Sequence, residues 1–290
     1  MLKLANQDTN DNVSVGRSRP FVRRQARPGW VAIDFGELWR YRELLVFQAI
    51  RDIKVRYKQT VLGVAWAVLQ PVATMVVFSI FFGKLAKLPS DGIPYPVFTF
   101  CALLPWQLFT YALTYSSNSL VDNANAVTKV YFPRLILPFS AVISGLIDFA
   151  IAFVVLAGIM FYYGVRPGWS VIVLPLFIIL ALAVAMSIGV WLSALNVKYR
   201  DIRYTIPFLS QFWLFATPVA YSSSLVPEKW QTVYGINPMV SVVDGFRWAL
   251  LGRSAPSIPM LIVSVIATVV LLACGLFYFR RMEKSFADIV

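Results

Sequence analysis

The stretch RDIKVRYKQTVLGVAWAVLQP, residues 51–71, decides the fold. Its first eight residues carry Arg51, Asp52, Lys54, Arg56 and Lys58, and residues 60–83 then form a run of 24 without a charge. A helix rising ~1.5 Å per residue needs roughly 20 apolar residues to cross a hydrocarbon core of ~30 Å. The uncharged run is long enough to do so. The basic cluster places the start of the span at the interface. It also biases that end toward the cytoplasm, because Lys and Arg flanking a first span are retained inside.

Composition agrees. Of 290 residues 59% are hydrophobic and 14% charged, whereas a soluble domain carries about 25% charged residues. The net charge of +12 is concentrated: 12 of 26 basic residues lie in the first 60 positions, beside a span. Anionic lipid headgroups, not nucleic acid, are the expected counter-charge. Cys101 and Cys274 both lie in apolar runs, expected near opposite faces of the bilayer and too far apart for a disulfide. The chain has no histidine, which removes Cys/His zinc sites and the usual general base. Gly83-Lys84 lacks the upstream glycine and following hydroxyl of a phosphate-binding loop. The expectation is a chain with no cofactor and no enzymatic activity of its own. Any ATP it depends on is bound by another chain.

Outward from the first span, the sequence predicts an all-α integral membrane protein. It has six transmembrane helices, an N-terminal amphipathic interface helix, and a re-entrant outer hairpin between spans five and six. Residues 1–36 read as a flexible basic cytoplasmic tail. Residues 37–58 read as the interface helix, with Leu38, Tyr41, Leu45, Ala49, Ile53 and Tyr57 on one face turned into lipid. The transmembrane domain covers 59–281, with spans near 60–83, 96–121, 135–163, 169–195, 204–221 and 257–279, and 282–290 form a cytoplasmic tail. The fifth span is the weakest, bracketed by Pro207 and Pro218. After it, Pro227 and Asn237-Pro238 mark the starts of two short helices, the second over 239–251. Six spans put 20 basic residues inside and 6 outside, with both termini cytoplasmic.

Residues 51–71 resemble the entry to the first membrane helix of ABC-2 type polysaccharide exporter permeases, the Wzm, KpsM and TagG family. Shorter motifs follow in the same order. They are Leu62-Gly63, the FPRLILP run from Phe132 to Pro138, NVKYRDI over 196–202, Thr217-Pro218-Val219 and Asn237-Pro238-Met239. The resemblance covers about residues 37–281. It implies channel-entry roles for Leu62 and Gly63, whose plainer reading is ordinary helix packing. It implies that 123–134 form a coupling helix seated in a groove of an ATPase, through Val127, Lys129, Val130, Tyr131 and Arg134. Phe78, Phe82, Phe208, Phe212 and Phe215 become a channel lining on which sugar rings slide, and Pro227, Asn237 and Pro238 an outer gate.

The partners so implied are a second copy of the chain, since one subunit offers half a channel, and two copies of a cytoplasmic ABC ATPase holding ATP and Mg. The cargo is a lipid-linked polysaccharide, O antigen first and capsular polysaccharide or teichoic acid as alternatives. The site of action is the bacterial inner membrane. An ion-coupled secondary transporter is the rival from another class. Asp148, the only acid in a confidently assigned span, is a poor proton relay by itself and is expected to hydrogen-bond a neighbouring helix. A membrane glycosyltransferase would need a carboxylate and metal cluster, which the sequence does not offer.

Overall fold

The structure is a computed structural model that describes residues 35–58, 65–252, 255–283 and 286. The tail over 1–34 and the Leu62-Gly63 step lie outside the described residues. Two helices open the described chain, α1 (Phe35–Arg40) and α2 (Arg42–Lys58). The expected interface helix is thus divided near Tyr41. Next come α3 (Ala65–Phe78), which continues as a π-helix over Ser79–Leu85, and α4 (Tyr95–Asp122). A short α5 (Ala124–Lys129) leads into α6 (Ile136–Tyr162), and a 3-10 turn, Trp169–Val173, into α7 (Leu174–Lys198). The last four are α8 (Ile202–Phe215), α9 (Glu228–Tyr234), α10 (Pro238–Leu251) and α11 (Ile258–Met282).

Among the described residues, five helical stretches are long and apolar enough to cross a membrane: Ala65–Leu85, Tyr95–Asp122, Ile136–Tyr162, Trp169–Lys198 and Ile258–Met282. Of these α4 is the most enclosed, and α3, α6, α7, α8 and α10 all pack on it. Hydrocarbon supplies no hydrophobic drive between helices, so close backbone approach and buried hydroxyls must hold them together. A Cβ at Gly189 of α7 would run into Ser116 Oγ of α4, and one at Gly275 of α11 would meet the Ser187 carbonyl. At the same α4–α7 contact Asn196 donates to Asn118 Oδ1 (3.0 Å) and to the Ser117 carbonyl (3.1 Å).

The apolar face expected on α2 is present but faces the protein. Ala49 is buried, and Leu38, Tyr41 and Leu45 pack against the core. The helix lies on α6, and the large apolar residues it exposes are Val46, Phe47, Ile50 and Val55. It turns this face to α6 instead of lipid because α6 carries a charge that α2 neutralises.

The segment expected as span five is a helix of 14 residues, about 21 Å long and short of a ~30 Å core. Pro218 follows closely and ends it. Its attachments nevertheless lie at opposite ends of α4. Near its start Arg203 pairs with Asp122 (3.6 Å), and beyond its end the Tyr95 hydroxyl donates to the Ala220 carbonyl. The link between α9 and α10 is anchored to α11 at the buried Gly235: Ser264, about 9 Å along α11 from its start, donates to the Gly235 carbonyl (2.8 Å).

Candidate functional site

Two polar ties fasten α2 to the body. Arg51 donates to Asn123 Oδ1 (2.7 Å), at the residue that opens α5. One helical turn further on, Arg56 pairs with the carboxylate of Asp148 in α6, and the Tyr57 hydroxyl donates to the same carboxylate. The Arg56 guanidinium also lies over the rings of Tyr111 (4.0 Å) and Tyr115 (4.7 Å) of α4. Burial pushes the Tyr57 phenol up to about 12, and its bond to Asp148 adds to that. It is a proton donor at every physiological pH. Asp148 was expected to hydrogen-bond a neighbouring helix, and it does. That helix is α2, whose Arg56 and Tyr57 lie 92 and 91 positions away in sequence.

The expected coupling residues divide into two groups. Val130 and Tyr131 are 61% and 71% exposed, and Lys129 is exposed beside them. Val127 corrects the expectation. It is 3% exposed, because it is the residue that plugs the one-and-a-half-turn α5 into the core. Arg134 is half-buried; it donates to the Glu283 carbonyl and lies under the Phe286 ring (5.9 Å), so it clamps the end of α11.

Tyr204, Phe208, Phe212 and Phe215 line one face of α8 and are all more than half exposed. Phe78 and Phe82 are half-buried and pack edge to face on each other (5.2 Å), while Trp66, Leu69, Val77 and Phe81 of the same helix are exposed. The open face of α3 is therefore carried by residues next to those expected. Between α3 and α4 lies a cleft of about 530 Å³ that reaches Arg56 and Asp148 at one end and is walled by Trp66, Gln70, Gln107 and Tyr111.

Pro227 stands immediately before α9, and Asn237-Pro238 cap and open α10, as their positions predict. Asn237 is knotted in place. Its Oδ1 accepts from Trp213 Nε1 (3.0 Å) and the Met239 amide (3.1 Å), and its Nδ2 donates to the Ala216 carbonyl (3.2 Å) and Thr217 Oγ1 (3.0 Å).

Sequence reasoning missed what holds the rest. Arg247, counted as an outer-loop cation, is 5% exposed. It donates to the carbonyls of Val219 (2.9 Å) and Tyr221 (3.1 Å), which the break after α8 leaves without helical partners. It stacks on Phe98 (3.6 Å) and sits 3.9 Å from the buried Asp244. Ser222 and Ser224 donate to Asp91 in the α3–α4 loop (2.7 and 3.4 Å). The three-residue spacing of Asp244 and Arg247 within an apolar helix was the one available signal.

Comparison with known proteins bears directly on this arrangement. Residues 44–251 match the family model for the ABC-2 type transporter. The O-antigen export system permease protein RfbA of Myxococcus xanthus is 30% identical over 255 residues, 87% of this chain and 97% of that protein. A protein of the same description from Klebsiella pneumoniae is 29% identical over 249 residues, covering 86% and 95%. The polysialic acid transport protein KpsM of Escherichia coli is 24% identical over 241 residues, covering 81% and 92%.

Proposed function

This chain belongs to the ABC-2 type transporter family, and on that premise we propose that it is the membrane permease subunit of an exporter carrying a lipid-linked polysaccharide, O antigen first, out of the cytoplasm. The observation that carries the reading is a family match running from α2 to the end of α10, joined to relatives described as O-antigen export permeases. Capsular polysaccharide is the second cargo, favoured by the likeness to a polysialic acid transporter. An ion-coupled mechanism is weakened because the one acid of α6 is already neutralised by Arg56.

In this reading a homodimer in the bacterial inner membrane encloses the channel, and two copies of a separate ATPase supply ATP and Mg from the cytoplasm. The segment 204–221 is the fifth of six crossings, completed by its break, and α9–α10 is a re-entrant outer hairpin. Backbone at membrane depth that is not helical is tolerated where it is buried or lines a cavity, which the Arg247 and Asn237 knots support. Both termini are cytoplasmic, as the 20-to-6 distribution of basic residues favours. The exposed aromatic face of α8 is the channel wall, offering flat rings without deep pockets that would stall a polymer.

Energy enters at α5, where Val130 and Tyr131 seat in the ATPase. Tyr131→Asp puts a charge into that contact, and co-purification of the ATPase and export are both expected to fall about tenfold or more. A cysteine at Val130 should cross-link to the ATPase and react with impermeant reagent only in opened cells. Export at wild-type level by Tyr131→Asp, or labelling of intact cells, overturns the coupling site or the orientation respectively. The wall is tested separately: Phe208→Ala with Phe212→Ala should slow export per transporter severalfold at unchanged expression, and an unchanged rate removes the lining.

A further inference from the structure

A groove of about 720 Å³ opens sideways between the π-helical end of α3 and the far half of α6. Its walls are two helical faces: Val76, Ile80 and Lys84 at four-residue spacing, and Val155, Gly158 and Tyr162 at three- to four-residue spacing. The floor is left open by Gly158, since nothing lies within 4 Å of where its Cβ would stand. From Val76 to Lys84 the groove runs about 12 Å along the helix axis, close to the ~15 Å hydrocarbon depth of one leaflet.

The two ends differ in chemistry. At depth the walls are apolar apart from the Ser79 hydroxyl. At the surface end stand the exposed ammonium of Lys84 and the phenols of Tyr162 and Tyr163, the residue types that sit at headgroup level. Lys84 has no ion pair among those of the described residues. An opening at this depth faces acyl chains, and its single charge selects a headgroup of opposite sign.

We propose that this groove is a binding site for one anionic phospholipid of the bilayer, its acyl chain between α3 and α6 and its phosphate on Lys84. The chain fills the gap and sets the spacing of the two helices at this end. The inference needs only that α3 and α6 cross the membrane. It stands or falls independently of the exported cargo.

The test uses the full chain reconstituted in phosphatidylcholine vesicles with two photoreactive probes, a phosphatidylglycerol and a phosphatidylcholine, each with a diazirine in its acyl chain. Mass spectrometry of the cross-linked peptides is expected to place adducts on 76–80 and 155–159, about fivefold more from the anionic probe, the preference one basic residue gives at an anionic headgroup. Lys84→Gln should equalise the two probes while keeping the adducts. Gly158→Leu, which fills the floor, should abolish them. Equal labelling by both probes in the wild-type chain shows ordinary boundary lipid and overturns the proposal. So does the absence of adducts, the result expected if a second copy covers the groove.

Discussion

Arg247→Met is expected to leave little folded protein in the membrane. The guanidinium is enclosed, with its side chain 6% exposed beside an Asp244 side chain at 10%. Removing it strands a buried carboxylate and frees the Val219 and Tyr221 carbonyls at once. Breaking a buried pair from one side costs about 3–5 kcal/mol, a large share of a typical stability of ~5–15 kcal/mol. Methionine keeps most of the volume, so the loss is electrostatic and not a cavity effect. Adding Asp244→Asn should recover part of the stability, because the stranded charge is gone while the carbonyls remain open. Arg247→Lys should stay well below wild type, since one ammonium cannot reproduce a fork that meets two carbonyls. Thermal unfolding in detergent and the yield of monodisperse protein measure all three. A midpoint for Arg247→Met within error of wild type would show that the pair holds nothing.

The second large effect is expected at Arg56 and Asp148. A hydrogen bond to a charged group contributes about 1.5–3 kcal/mol. Export under Arg56→Gln or Asp148→Asn should accordingly fall about tenfold to a hundredfold if this bond carries motion from α2 into α6. The double variant should be no worse than either single one, because both remove the same tie. ATP hydrolysis by the assembled transporter should persist in all three, which separates lost transmission from lost assembly. Strictly additive losses in the double-mutant cycle would mean that the two residues act apart.

Much of the architecture was legible in the sequence because lipid imposes a simple rule on it. Uncharged runs of more than 20 residues had to become helices, and Pro227 and Pro238 mark the starts of the two short helices α9 and α10. The misses share a different cause. Val127 sits at a position whose exposure depends on which way a six-residue helix rolls, and no periodicity can be read over so short a stretch. The face of α2 was correctly composed but wrongly assigned to lipid, since an apolar surface does not say whether acyl chains or another helix will cover it. Asp148 and Arg56 are charges that repel lipid separately and tolerate it together, and a separation of 92 positions hides the pairing. The π-helical end of α3 has no sequence signature in an apolar run. There Gly83 admits the Tyr95 ring that any side chain would strike.

The Arg247 knot has a consequence for how the protein is made. Val219 and Tyr221 precede their donor by 28 and 26 residues. During synthesis they leave the ribosome first, so the break after α8 reaches the bilayer with bare carbonyls and no guanidinium yet available to cover them. The last third of the chain must therefore settle as one late event, held open until α10 has been translated and swings back against α4. A ribosome pausing within that interval leaves a nascent chain in which the Val219 and Tyr221 carbonyls still lack the donor that covers them in the finished fold.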